Sequence, residues 1–251
     1  GELIVDGKDT KTNLPIISLY GNNKKPKPEQ LEGIDILVFD LQDVGARFYT
    51  YISSLHYVME ACAENNIPLL VLDRPNPNGF YIDGPIMENK FKSFVGMQCI
   101  PVVHGMTVGE YAKMLNGELW LSKKMKCQLS VIPCKNYDHK TLYELPVAPS
   151  PNLRSANAIL LYPSLCFFEG TDVSLGRGTE TPFELWGHPD FKQMSFSFTP
   201  VSSEGAKTPP QQDKRCYGVD LRKSPHATYS DLHKQINLSY IQQAYSMIKD
   251  T

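Results

Sequence analysis

Four short stretches of the chain gather the residue types that do chemistry. "FDLQDVGARFYT" (39–50) places Asp40, Gln42, Asp43, Arg47 and Tyr49 directly behind an apolar run. "VLDRPNPNG" (71–79) adds Asp73, Arg74, Asn76 and Asn78, and "HGMT" (104–107) adds His104. "FFEGTDVSLGRGTETPFELWGHP" (167–189) carries Glu169, Asp172, Arg177, Glu180 and Glu184, interleaved with Gly170, Gly176 and Gly178, which let backbone approach a ligand closely. Carboxylates with Arg, Asn, Tyr and His around them suit glycoside hydrolysis: one carboxyl protonates the leaving oxygen while another answers the charge on the sugar ring. Each group also has a purely structural explanation. Asp40 or Asp43 can cap a helix or turn, Arg74 can pair with neighbouring acids, and "PNPNG" is turn chemistry whatever the function. Taken together, with arginines able to hold hydroxyls or a carboxylate, they point to a binding cleft.

Other chemistries fit less well. An aspartyl-phosphate enzyme of the haloacid dehalogenase type needs Asp-x-Asp behind a strand, and here the second position is Gln42. No G-x-S-x-G marks a serine nucleophile, and neither G-x-G-x-x-G nor G-x-x-x-x-G-K-[ST] is present to cradle phosphates. The six cysteines, at 62, 99, 127, 134, 166 and 216, stand singly, with no CxxC and no His pair at zinc spacing. Among the carboxylates, Glu169 follows "CFF", an apolar setting that suits an acid catalyst. Glu169 is therefore the first candidate for the catalytic acid, with Asp40 or Asp43 as its counterpart.

The elements that must position these groups follow from hydrophobic pattern. "LPIISLY" (14–20), "IDILVFDL" (34–41), "IPLLVLD" (67–73), "IPVVH" (100–104) and "CQLSVIPC" (127–134) read as strands. Residues 50–66 put Ile52, Leu55, Val58, Met59 and Cys62 on one helical face, and 107–120 predicts a second helix with Thr107 as N-cap and Glu110 three residues on. Strand, helix, strand is the signature of a parallel sheet, and continuous rather than alternating apolar runs suggest helices on both of its faces. In such α/β sheets ligands bind at the carboxyl ends of the strands, where Asp40, Asp73 and His104 all fall. After about residue 190 the sequence turns Ser-, Pro- and Gln-rich and closes on a helix over 229–250, which predicts domains of 1–189 and 190–251.

Composition bounds the rest. The chain has 251 residues, of which 41% are apolar, enough for a substantial core, and its formal charge of −2 gives no electrostatic reason to expect nucleic acid or an anionic membrane as partner. The longest apolar candidate for a membrane span, "AILLYPSLCFF", is too short and is interrupted by Pro163. The first residues, "GELIVDGKDT", have neither the basic start nor the apolar segment of an export signal.

The combination of "FDLQDVGARFYTYISSLHYVMEA", "VLDRPNPNG", "HGMTVGEYAKMLNGE", "SPNLRSANAILLYPSLCFFEGTDVSLGRGT" and "PFELWGHP" closely resembles the NamZ-type exo-β-N-acetylmuramidases, a glycoside hydrolase family formerly known only as an uncharacterised bacterial domain. The resemblance runs from residue 14 to about 190. It implies a Rossmann-like domain joined to a smaller α+β auxiliary domain, an active site in the cleft between them, and no cofactor. It also implies release of N-acetylmuramic acid from the non-reducing ends of peptidoglycan fragments, in the periplasm or outside the cell. The sugar's lactyl carboxylate would give Arg47, Arg74 or Arg177 its reason to be in the cleft, beside Tyr49, Asp73, Asn76, Asn78 and His104. Family members carry further units upstream, ending in a Glu-His-Gly segment, so the expectation is that this chain lacks N-terminal units. The alternative on the same scaffold is a muropeptide-binding protein that does not cleave.

Overall fold

The computed structural model describes residues 5–248. Its first element is a small antiparallel hairpin of β1 (Gly7–Lys8) and β2 (Pro15–Ile16). The turn is set by Asp9, whose Oδ1 accepts from the backbone N–H groups of Lys11 and Thr12 and from the Thr12 hydroxyl. The run 14–20, expected as a strand of the main sheet, is therefore spent on a peripheral hairpin, with Leu14 and Ile16 exposed.

The central sheet is parallel, in the order β3 (Leu37–Phe39), β4 (Leu69–Leu72), β5 (Leu129–Ile132). Leu37 and Phe39 lie beside Leu69 and Val71, and Leu69 lies beside Leu129, which puts one apolar row on a common face. The crossovers are α1 (Tyr51–Asn65) and α2 (Val108–Gly117), and both bury their apolar stripes against that row. Ile52, Leu55, Val58, Met59 and Cys62 of α1 are all buried, as their spacing predicts. Asn66 ends α1 in the left-handed conformation, φ 56°. The α2 N-terminus forms the predicted capping box: Thr107 accepts from Glu110 N–H, and Glu110 accepts from Thr107 N–H at 2.8 Å. Val38 and Ile132 point to the opposite face and are about half exposed, 49% and 54%.

Residues 100–104 do not form the expected strand. Their neighbours are two loops: Val103 exchanges both backbone hydrogen bonds with Asp83, Arg47 N–H donates to Val102 O, and His104 N–H donates to Gly45 O. Pairing partners, and not the apolar run alone, decide whether a segment becomes a strand.

A second core joins the loop residues Val44 and Ala46 to the C-terminal third of the chain. It is built on α3 (Ala156–Leu165), on an antiparallel sheet of β6 (Leu185–His188), β7 (Phe196–Phe198) and β8 (Cys216–Asp220) in the order β6-β8-β7, and on α4 (Pro225–Leu232) and α5 (Ser239–Met247). Trp186 is fully buried and stacks on Phe168 at 5.5 Å. Gly218 allows β6 and β8 to approach, since a Cβ there would lie 1.9 Å from Trp186 O.

Helix α3 contains Pro163, which removes the N–H that would have reached Ile159 O. That carbonyl accepts instead from Asn78 Nδ2 at 3.0 Å. The single helix expected over 229–250 is two, separated by left-handed His233 and Lys234 and pinned where Asn237 N–H donates to Ser164 Oγ. The last residues of that expected helix, 249 and 250, lie outside the described ones.

Candidate functional site

The loop behind β3 is held open by backbone geometry and by two asparagines. Gly45 adopts φ +79°, and a Cβ on it would lie 2.2 Å from Asn76 Oδ1. Asn76 donates to Met106 O and accepts from Asn78 N–H, while Asn78 donates to Val44 O and Ile159 O. Gln42 Nε2 donates to Asp43 O and Pro75 O. These contacts fix the turn so that Asp43 points inward.

Asp43 is 3% exposed and accepts from Gly45 N–H at 2.7 Å through Oδ2. His104, also 3% exposed, lies with Nε2 3.5 Å from the same oxygen. His104 Nδ1 accepts from Met106 N–H at 3.2 Å, so the ring proton sits on Nε2, facing the carboxylate. Among the described residues, Asp43 Oδ1 and His104 Nε2 have no hydrogen-bond partner. Buried polar atoms are almost always satisfied, so two such atoms from facing acid and base groups mark this pair. Burial pushes the hydroxyls of Tyr49 and Tyr111 well above their ordinary range, with smaller contributions from Tyr51 and Asp43 at Tyr49 and from Asp43 at Tyr111. Tyr49 donates to Pro149 O at 2.7 Å.

Arg47, four residues along the same loop, is 9% exposed. Its Nη1 donates to Pro85 O at 3.0 Å and to Ile100 O, and among the described residues no carboxylate pairs with it. Burial lowers its pKa from the usual arginine value. It is a buried cation held by two carbonyls, with its guanidinium 5.7 Å from the centre of the Phe48 ring.

The remaining sequence candidates have other work. Asp40 is exposed and pairs with Arg74 at 2.7 Å. Asp73 accepts from Thr107 Oγ1 and Gly109 N–H at the start of α2, so it serves as a helix cap. Asn76 and Asn78 are buried braces of the loop rather than open sugar-binding groups. Glu169 departs from the enclosed acid expected of it: its side chain is 36% exposed and pairs with Arg177, while Cys166 Sγ donates to its other oxygen at 3.4 Å. Its apolar neighbours in sequence do not enclose it, because it lies in the short 3-10 turn Cys166–Gly170, where only Cys166 and Phe168 are buried. Arg177 in turn lies 4.9 Å over the Phe183 ring. Tyr162 connects the two regions, with Tyr49 edge-on at 6.1 Å and the Cys166–Glu169 contact on its other side. Glu184, buried at 7% exposure, accepts from Ser155 and Asn157 and braces the start of α3.

A pocket of about 580 Å³ opens beside the pair, with Phe80, Tyr81 and His104 in its lining and Glu110 and His139 among its polar groups. Glu110 Oε1 and His139 Nε2 are 2.9 Å apart. Their mutual attraction raises the His139 pKa. The Glu110 pKa is lowered: burial works against the shift, and the Thr107 N–H and His139 outweigh it. Sequence reasoning missed both as pocket residues. Glu110 was legible only as a capping residue, and His139 in "NYDHKT" carried no signal. Among the described residues no cluster of His, Cys, Asp and Glu suits a metal, and no helix is long and apolar enough to cross a membrane.

The family model for exo-beta-N-acetylmuramidase NamZ, N-terminal, matches residues 1–157, and the C-terminal model matches residues 160–249. The chain belongs to the NamZ family. The peptidoglycan beta-N-acetylmuramidase NamZ of Bacillus subtilis strain 168 is 44% identical over an alignment of 235 residues, covering 85% of this chain and 54% of that protein. The chain thus spans about half the length of this NamZ relative. A crystal structure of a DUF1343 family protein from Bacteroides fragilis superposes with a TM-score of 0.89 at 53% identity, covering 95% of this chain and 66% of that one. A second from the same organism gives 0.75 at 30% identity, covering 97% and 69%. The α/β architecture read from the sequence and the NamZ fold agree.

Proposed function

We propose that the chain is the part of a NamZ-type glycoside hydrolase that carries the buried Asp43–His104 pair and the pocket His104 lines, and that it releases N-acetylmuramic acid from the non-reducing ends of peptidoglycan fragments. The observation that carries this reading is the buried Asp43, aimed at His104, with one oxygen unpartnered. A carboxylate in that position stabilises the positive charge that develops on a sugar ring as its glycosidic bond breaks. The Gly45 N–H holds it in place, and His104 faces it at 3.5 Å. Substrate fragments of this kind arise outside the cytoplasmic membrane, so the same reading puts the protein in the periplasm or outside the cell.

Arg47 supplies the selectivity. Arg74 and Arg177 are already neutralised by Asp40 and Glu169, whereas Arg47 has no acid partner among the described residues. An anionic lactyl group is the complement it lacks, and a guanidinium binds a carboxylate through two parallel hydrogen bonds. Arg47→Ala is expected to raise KM for an N-acetylmuramic acid disaccharide by roughly 10- to 100-fold, the worth of a lost charge-assisted hydrogen bond. The same change should leave hydrolysis or binding of the corresponding N-acetylglucosamine disaccharide within about threefold. Steady-state kinetics on the two substrates check this. Equal losses on both would remove Arg47 from carboxylate recognition.

A further inference from the structure

We propose that Glu110 and His139, at the rim of the pocket that His104 lines, form the subsite for the leaving sugar, with the Glu110 carboxylate accepting hydroxyls of the N-acetylglucosamine residue that departs. This inference rests on the hydrolase reading above and adds to it the part of the substrate that is not N-acetylmuramic acid. The cavity, about 580 Å³, lies in the size range of sites that take a small ligand. Its lining is graded. Phe80, Tyr81 and His104 are buried, whereas Ile82 is 67% exposed and the side chains of Glu110 and His139 are 44% and 47% exposed. An enzyme that removes a terminal sugar takes that sugar into the buried end and leaves the remainder at the mouth, where Glu110 and His139 stand.

Both side chains are held in place before any ligand arrives. Tyr137 and His139 lie on the loop that follows β5. The Tyr137 hydroxyl accepts from Asn76 N–H at 3.2 Å and donates to Asn76 O at 3.0 Å. Gly79 lets this loop come close, since a Cβ there would lie 2.4 Å from the Tyr137 hydroxyl oxygen. His139 Nδ1 is 3.3 Å from Gly79 O, and Nε2 is 2.9 Å from Glu110 Oε1. A carbonyl and a carboxylate both require a donor, so the ring satisfies both only as the imidazolium, in line with the rise in its pKa that Glu110 causes. Glu110 Oε2 accepts from Thr107 N–H at 2.8 Å. An exposed ion pair contributes little to stability, and α2 is already capped by the exchange between Thr107 and Glu110, so helix capping does not call for His139.

The capacity left on the pair selects the ligand. A carboxylate accepts at about four positions, and Glu110 uses one on each oxygen and keeps one on each. His139 cancels its charge, so the rim neither attracts a cation nor repels an anionic neighbour such as a lactyl group. What fits is a neutral ligand with two O–H donors beside an apolar face. A pyranose is of that kind, with hydroxyls around its edge and C–H groups over its face, and Ile82 and Met106 supply the apolar wall. N-acetylglucosamine joined through one hydroxyl keeps free hydroxyls on both sides of the glycosidic oxygen, which are the two donors Glu110 can accept.

The test compares two substrates on the full chain: N-acetylmuramyl-N-acetylglucosamine, and an aryl N-acetylmuramide whose leaving group has no sugar hydroxyls. Glu110→Gln keeps the side chain's length and an acceptor for Thr107 N–H, so α2 stays capped. The ratio of kcat/KM for the disaccharide to that for the aryl muramide should fall roughly tenfold in Glu110→Gln, and by a smaller factor in His139→Ala, where the carboxylate loses its clamp. Both rates scale alike with the folded fraction, so a loss of stability leaves the ratio unmoved. An unchanged ratio in Glu110→Gln overturns the subsite. A parent that cleaves neither substrate contradicts the hydrolase reading instead, and N-acetylglucosamine is then titrated into parent and Glu110→Gln while the His139 ring protons are followed by NMR. A saturable shift in the parent, weakened roughly tenfold in the variant, supports the subsite, and shifts that are absent or identical overturn it.

Discussion

Asp43→Asn lowers turnover of an N-acetylmuramic acid disaccharide by roughly two to three orders of magnitude, with KM changed little, if Asp43 answers transition-state charge as proposed. The substitution removes the negative charge while keeping the side chain's shape, so the loop built by Gly45, Asn76 and Asn78 has no reason to move. Ground-state binding should survive, because the charge is needed only as the ring becomes cationic. It should also weaken the contact with His104, since a neutral amide oxygen attracts the Nε2 proton less than a carboxylate does. The measurement is kcat and KM beside a thermal melt. A variant that melts like the parent and turns over within about threefold of it would show that Asp43 is only a turn residue.

Asn78→Ala gives the largest expected loss of stability. Asn78 is fully buried, and its amide donates both to Val44 O in the site loop and to Ile159 O in α3. The second of these carbonyls has no helical partner, because Pro163 stands where its donor would be. Alanine strands two buried acceptors at once, at about 1–3 kcal/mol each, and adds a small cavity. The sum, roughly 3–5 kcal/mol, corresponds to a fall in Tm of about 6–20 °C for a chain of this size. Denaturant melts monitored by circular dichroism read it directly. A shift below about 1 kcal/mol would mean that water reaches both carbonyls and that the asparagine is not the joint between the site loop and α3.

Asn78 also shows where sequence reasoning reaches its limit. The interruption of "AILLYPSLCFF" by Pro163 is a local rule, and it argues against a helix running through 156–165. The helix forms because an asparagine far away in sequence supplies the hydrogen bond that proline cannot, and nothing in the local pattern reveals that. Features decided within one turn of chain were legible: the Thr107–Glu110 capping box and the buried face of α1 both appear as their spacing predicts. Features decided by neighbours were not. The run at 100–104 has strand composition but lies between loops, and the closing helix breaks where His233 and Lys234 turn left-handed.

The same distinction governs the candidate site. Asp40, Asp43 and Asp73 all follow apolar strands, so sequence alone gives them similar standing. Their surroundings separate them: Asp40 meets Arg74 in solvent, Asp73 caps α2, and Asp43 alone is buried against a histidine. Glu169 looked enclosed because its sequence neighbours are apolar, yet Arg177, eight residues on, folds back to pair with it. His104 was singled out as the end of a strand ahead of a helix start, yet no strand leads into it.

The most direct test is to incubate the purified chain with N-acetylmuramyl-N-acetylglucosamine and follow the products by mass spectrometry, with Asp43→Asn in parallel. Free N-acetylmuramic acid and free N-acetylglucosamine should accumulate with the parent and fail to accumulate with the variant. Intact disaccharide, at concentrations where calorimetry shows the parent saturated, would contradict the account and leave a protein that binds the glycan without cutting it.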